Sequence, residues 1–143
     1  MHPPRKLRIP SVGDAVFLTG CLLTVAAFRM ALFLAPYRHI RKLMPARASA
    51  APPAWKMRRV HWGVSAAARL VPRATCLTQA LAGQYLLACR GYRTEMRIGA
   101  ARGASGEFSA HAWLISGDVV ILGGTPSDLA RFSQLADLAP RST

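Results

Sequence analysis

A cysteine and a histidine stand where nucleophilic catalysis would need them. Cys76 follows Thr75 at the predicted start of a helix, and His111 lies about 35 residues later in a predicted strand. The N-terminus of a helix carries partial positive charge and unpaired N–H groups, which stabilise a thiolate and the oxyanion that forms when the thiolate attacks a carbonyl. Histidine is the usual base for such a thiol and can protonate a leaving amine. The pair therefore predicts acyl chemistry on a cysteine.

The residue that would orient the histidine is open to several interpretations. In sites of this kind an acid or amide on the following strand holds the imidazole. A hairpin turn after the strand puts His111 opposite about Gly123, where there is no acid. Asp128, at the start of the next predicted helix, ranks first. Asp118 lies in the turn, about 16 Å from His111 at ~3.3 Å per residue. A backbone carbonyl or the Thr125 hydroxyl is another way to hold the ring.

Helix signals come first along the chain and strand signals follow. Helical spacing of apolar residues, with caps and prolines, predicts helices over residues 14–34, 57–71 and 76–90, with Asp14 capping the first. Alternating residues then predict strands at 96–100, 108–114 and 119–122, and a hairpin joins the last two. Helices followed by strands, without βαβ alternation, predict an α+β fold with a small antiparallel sheet.

Positive charge is concentrated in the first half of the chain. There are 19 Lys and Arg residues against 6 Asp and Glu, for a net charge of +13. Thirteen of the basic residues precede Cys76, where Asp14 is the only acid. This asymmetry predicts an anionic partner, such as an acidic peptide, an acidic protein or a membrane surface. No nucleic-acid partner is expected, because no recognition motif with interleaved basic and aromatic residues occurs.

The cysteine pattern bears on compartment and cofactors. Cys21, Cys76 and Cys89 form no close pair, which argues against a disulfide framework and predicts a reducing compartment, the cytoplasm. No two Cys or His residues fall at ligand spacing, so no metal is expected. No phosphate-binding Gly-Lys-Ser/Thr loop is present, so no nucleotide cofactor is expected either.

The apolar run from Ala15 to Pro36 leaves the membrane status open. Arg29 interrupts it, and its uncharged part is short for a membrane span, which favours a packed or interfacial helix. A true span or a signal peptide is the alternative. Membrane association is therefore kept beside the cytoplasmic prediction.

A helix cysteine followed by a strand histidine is the papain/transglutaminase arrangement. Four segments extend this pattern: Ala74-Thr75-Cys76-Leu77, Arg97-Ile98-Gly99-Ala100, Phe108 to Leu114, and the Val-Val-Ile-Leu-Gly-Gly run that ends at Gly124. These segments resemble the lasso-peptide biosynthesis B protein, the stand-alone transglutaminase-like leader peptidase. The resemblance covers about residues 55–143, and it implies a papain/transglutaminase-like fold.

The resemblance implies an activity and a set of partners. The family uses a Cys-His-Asp triad to cut the leader from a ribosomally synthesised precursor. Cys76 and His111 match its catalytic positions, whereas Gly123 and Gly124 occupy the region of its Asp. The implied partners are the precursor leader peptide, a separate leader-recognition protein, since the chain leaves no room for a fused one, and an ATP-using lasso cyclase.

The Ala- and Pro-rich stretch Pro45–Pro53 is the predicted linker between two parts of the chain. It divides a basic, apolar helical segment at 1–54 from a transglutaminase-like cysteine peptidase domain at 55–143. Two other functions stay open. One is an acyltransferase of transglutaminase type, which passes the acyl group to an amine. The other is a non-catalytic, basic membrane-surface or adaptor protein.

Overall fold

Helices occupy the first part of the chain and strands the second. The helices are α1 (Val12–Leu34), α2 (Tyr37–Ile40), α3 (Ala54–Leu70) and α4 (Cys76–Ala88), with a 3-10 turn at Arg41–Leu43. The strands are β1 (Glu95–Arg102), β2 (Phe108–Ser116), β3 (Val119–Leu122) and β4 (Ser133–Leu138). The computed structural model describes residues 9–46, 48–102, 104–125, 127 and 133–138.

The strands form one antiparallel sheet in the order β3-β2-β1-β4. The predicted α+β fold is confirmed, and β1 to β3 match the predicted strands. The pattern of the sequence does not predict β4, which pairs with β1 so that Arg97 stands opposite Asp137. A bulge explains why: Ile98 pairs with Ala136 and Gly99 with Gln134, so Leu135 is an extra residue that breaks the two-residue alternation.

The start of α1 differs from the prediction. Ser11, rather than Asp14, is the N-cap, because its hydroxyl accepts a hydrogen bond from the Asp14 N–H at 3.2 Å. The Asp14 carboxylate in turn accepts one from the Ser11 N–H, which completes a capping box. Hydrogen bonds from Ser11, followed by the charge of Arg59 at 3.0 Å, lower the pKa of Asp14. The predicted end of the helix, before Pro36, is confirmed.

The core lies between α1, α3, α4 and the sheet. Helix α4 contacts α1, α3 and the first three strands. Gly83 allows close approach to the sheet, since a Cβ there would lie 2.4 Å from a Leu122 methyl carbon and 2.9 Å from one of Leu114. The buried apolar residues contributed by the helices include Cys21, Val25, Phe28, Val60, Val64, Ala67, Ala80, Leu81, Ala82 and Leu87.

The contact between α1 and α3 depends on Gly63, and it can be tested there. A Cβ at Gly63 would lie 2.5 Å from the Phe17 ring and 2.7 Å from the Cys21 sulfur. We expect Gly63→Val to lower the free energy of unfolding in urea by about 1–3 kcal/mol, because overpacking forces the helices apart. Gly20→Val is the matched control, since no atom lies within 4 Å of a Cβ there. Equal effects of the two substitutions would contradict this packing.

Candidate active site

Cys76 is the first residue of α4 and is half-buried. Thr75 is the N-cap, and its hydroxyl accepts a hydrogen bond from the Thr78 N–H at 3.3 Å. The hydroxyl groups of Thr75 and Thr78 also lie 3.1 Å apart, and Thr78 is fully buried. The predicted cap and helix start are thus confirmed. The cap fixes Cys76 in the first turn of α4, the end of a helix at which negative charge is favoured.

The His111 ring is held by its neighbours in the sheet. Its Nε2 lies 2.5 Å from the carbonyl oxygen of Gly123, and the ring meets that of Trp113 edge to face, with centroids 4.8 Å apart. A carbonyl oxygen only accepts hydrogen bonds, so Nε2 carries the proton in this contact. In the neutral ring the lone pair then belongs to Nδ1. The strand therefore provides an oriented imidazole with Nδ1 as its basic nitrogen.

A peptide carbonyl contacts the imidazole at the position where an acid would be expected. Gly123 has a φ of +104°, and a Cβ there would lie 2.5 Å from the carbonyl oxygen of Ala112. Any other residue would be strained by both the backbone conformation and the clash. The glycine thus brings its own carbonyl to His111, which is one of the alternatives that the sequence left open.

The other candidates for orienting the histidine are placed as follows. Asp118 is exposed in the turn between β2 and β3. The Thr125 hydroxyl lies 2.9 Å from that of Ser127. Asp128, which ranks first in the sequence, lies outside the described residues. Its role stays a prediction.

Contacts along α4 indicate its direction relative to β2. Gly83 packs against Leu114, and the Gln84 side-chain N–H donates to the Thr94 carbonyl oxygen at 3.4 Å. Thr94 immediately precedes β1, at the end of the sheet where β2 finishes. Only a short connection joins the end of α4 to the start of β1. The C-terminal half of α4 therefore lies at that end of the sheet.

This direction points the start of α4 towards the half of β2 that carries His111. Cys76 and His111 are each about 10 Å from the contact between Gly83 and Leu114, at ~1.5 Å per helical residue and ~3.3 Å per strand residue. Leu114 faces α4, whereas His111 and Trp113 project from the other face of the strand. A direct hydrogen bond between the thiol and the imidazole stays a prediction.

Comparison with protein families agrees with this arrangement. The family model described as the transglutaminase-like superfamily matches residues 21–137, which is most of the chain. The chain belongs to the transglutaminase-like superfamily. Neither a curated protein nor a solved structure matches it. Membership supports a cysteine-type enzyme and leaves the choice between peptide hydrolysis and acyl transfer to experiment.

The superfamily match also bears on how the chain is divided. It includes Cys76 and His111, and it begins within α1. Part of the segment at 1–54 thus belongs to the matched region, and α1 packs directly against α3 and α4. The boundary at residue 54 stays a prediction.

The role of Gly123 can be tested by substitution with alanine. We expect Gly123→Ala to lower the free energy of unfolding by at least about 1 kcal/mol more than Gly117→Ala does. Both residues have positive φ, of +104° and +56°, but a Cβ at Gly117 would meet no atom within 4 Å. Urea unfolding of the two variants measures the difference. Equal losses would show that the contact between Gly123 and Ala112 is looser than described.

The three thiols should differ in their reaction with iodoacetamide near neutral pH. Cys21 is fully buried, and burial raises its pKa to about 11, so it should react only after unfolding. Cys89 is exposed but lies beyond the end of α4, whereas Cys76 lies at its start. We expect Cys76 to react fastest, as measured by mass spectrometry on variants that keep one cysteine each. A rate for Cys76 no greater than that for Cys89 would contradict an activated thiol.

Proposed function

We propose that the chain is a cysteine peptidase that removes the leader from a ribosomally synthesised lasso-peptide precursor. The observation that carries this proposal is Cys76 at the start of a capped helix, packed on the strand that holds an oriented His111. Membership of the transglutaminase-like superfamily supports a cysteine-type enzyme. The substrate is supported by the four segments that resemble lasso-peptide B proteins.

In the proposed reaction the start of α4 extends beyond β2, so that the Cys76 thiol reaches the face of the sheet that carries His111. The thiol proton is first transferred to Nδ1 of His111. The thiolate sulfur then bonds to the carbonyl carbon of the last leader residue, and the first-turn N–H groups of α4 stabilise the oxyanion. When the C–N bond breaks, the imidazolium gives its proton to the leaving amine of the core peptide. The leader is now a thioester on Cys76.

Hydrolysis completes the cycle. His111 takes a proton from a water molecule, and the resulting hydroxide attacks the thioester carbonyl. The C–S bond breaks, the leader leaves with a free carboxylate, and the sulfur regains its proton from the imidazolium. Throughout the cycle the Nε2–H of His111 donates to the Gly123 carbonyl, which keeps the ring in one orientation.

The proposal includes three partners. The precursor leader is the substrate, and a separate leader-recognition protein presents it. The freed core then passes to a lasso cyclase. The basic first half of the chain supports an acidic surface on the peptide or on the recognition protein. Contacts of that kind should weaken with salt, because exposed charges are screened within about 10 Å at ~0.1 M.

Three alanine variants test the catalytic roles. We expect Cys76→Ala to abolish leader cleavage and His111→Ala to slow it by about 10²–10⁴-fold, the usual contribution of a general base. His61→Ala is the matched control, because His61 Nδ1 also donates to a carbonyl of β3, that of Ile121 at 2.8 Å. It should lose only about 1 kcal/mol of stability. Cleavage of purified precursor with its recognition protein is followed by mass spectrometry.

The masses of the products decide between the possible reactions. A leader that ends in a free carboxylate supports the peptidase. A leader joined through a new amide to an added amine would replace it with an acyltransferase. Normal cleavage by a folded Cys76→Ala variant would overturn the mechanism altogether.

A further inference from the structure

Helix α1 presents an uncharged apolar face to solvent along its whole length. Its large exposed side chains are Val12, Val16, Leu23, Met30, Phe33 and Leu34. At 100° per residue they lie on one side of the helix, opposite the buried Cys21, Val25 and Phe28. Every other exposed residue of α1 is Gly, Ala or Thr. We call this surface the outer face of α1; at ~1.5 Å per residue it is about 34 Å long.

Such a face is unusual for a helix that meets only water. The outer side of an amphipathic surface helix normally carries charged residues. The two charged residues of α1 are half-buried and lie off the outer face, Asp14 on the inner side of the helix and Arg29 at its flank. By length and composition α1 could cross a membrane, with a mean hydropathy of 2.0. An exposed apolar surface of this size indicates a binding surface.

The inner side of α1 is bound to the rest of the protein. Asp14 pairs with Arg59 of α3 at 3.0 Å, and Gly63 allows α3 to approach closely. The rings of Phe28 and Tyr85 of α4 meet edge to face with centroids 5.6 Å apart. A helix that crossed a bilayer would have to leave these contacts. The outer face alone is therefore available to a lipid phase.

The surroundings of the outer face suit an anionic lipid. Arg38, Arg41 and Lys42 follow α1 and are exposed, and residues 35–46 contain no acid. An apolar groove of about 420 Å³ lies beside them, lined from the outer face by Leu23 and from the basic stretch by Leu43. Apolar surface next to cations matches an acyl chain next to a negatively charged headgroup.

We propose that the outer face of α1 lies on an anionic membrane, with the helix parallel to the surface and the helical core of the protein above it. Arg38, Arg41 and Lys42 contact the headgroup phosphates. The proposal is independent of the reaction at Cys76. It concerns where the protein works rather than what it cleaves.

Sedimentation of the full chain with lipid vesicles tests this docking. We expect binding to phosphatidylcholine vesicles that contain phosphatidylglycerol, and release as salt is raised. Leu23→Glu combined with Met30→Glu should lower the partition coefficient by more than about tenfold, since two charges would enter the interface. Leu70→Glu on α3 is the matched control, because Leu70 is 72% exposed but lies outside the outer face. Arg41→Gln with Lys42→Gln should reduce anionic binding about fivefold per cation.

Several results would overturn the proposal. One is equal binding to vesicles with and without phosphatidylglycerol, or binding to neither. A second is resistance to extraction by alkaline carbonate, which would mean that α1 spans the bilayer. A third is a dimer in light scattering that Leu23→Glu dissociates, without vesicle binding, which would mean that a second copy covers the face. Thermal unfolding confirms that each variant is folded, since all the substituted side chains are exposed.

Discussion

The burial of α4 on several sides is the constraint on which the rest of the structure depends. A helix held between two other helices and a sheet cannot tilt or slide without disturbing all of them. Gly83 brings it close to the sheet, and the buried Thr78 ties its first turn to the Thr75 cap. The orphan N–H groups at its start must be satisfied by caps or ligands. Cys76 is thus held in place mostly by the packing of residues that follow it in α4.

The sheet positions the imidazole of His111 in a different way. The carbonyl of Gly123, the residue that follows β3, contacts the His111 ring and helps to orient it. Because a carbonyl accepts but does not donate, it selects the tautomer as an acid would, without adding a negative charge. The left-handed conformation of Gly123 turns that carbonyl to the ring, and the clash with Ala112 excludes larger residues.

Local signals in the sequence predict most of the fold, and contacts between distant segments account for what they miss. Thr75 and Cys76 are found where capping rules place them, because those rules describe the first turn alone. The strand β4 is missed because its bulge against β1 disrupts the two-residue period. The sequence leaves the Gly123 carbonyl as one of several groups that could orient His111, because the residue type at one position does not determine the backbone conformation there. Which side chain or carbonyl meets His111 is decided by the path of the chain after β3.

The same reasoning explains why hydropathy does not settle the status of α1. An average over the helix counts the buried Cys21 and the exposed Leu23 alike, so a core helix and a membrane helix receive similar values. The structure distinguishes these two kinds of helix by the direction in which each side chain points. Asp14 is turned towards Arg59, which leaves the outer face without charge while the inner face is packed. One apolar side of α1 packs against the protein, and the other apolar side is open. Such a helix fits a boundary between protein and lipid better than the protein interior or the lipid alone, because each apolar side then contacts apolar material.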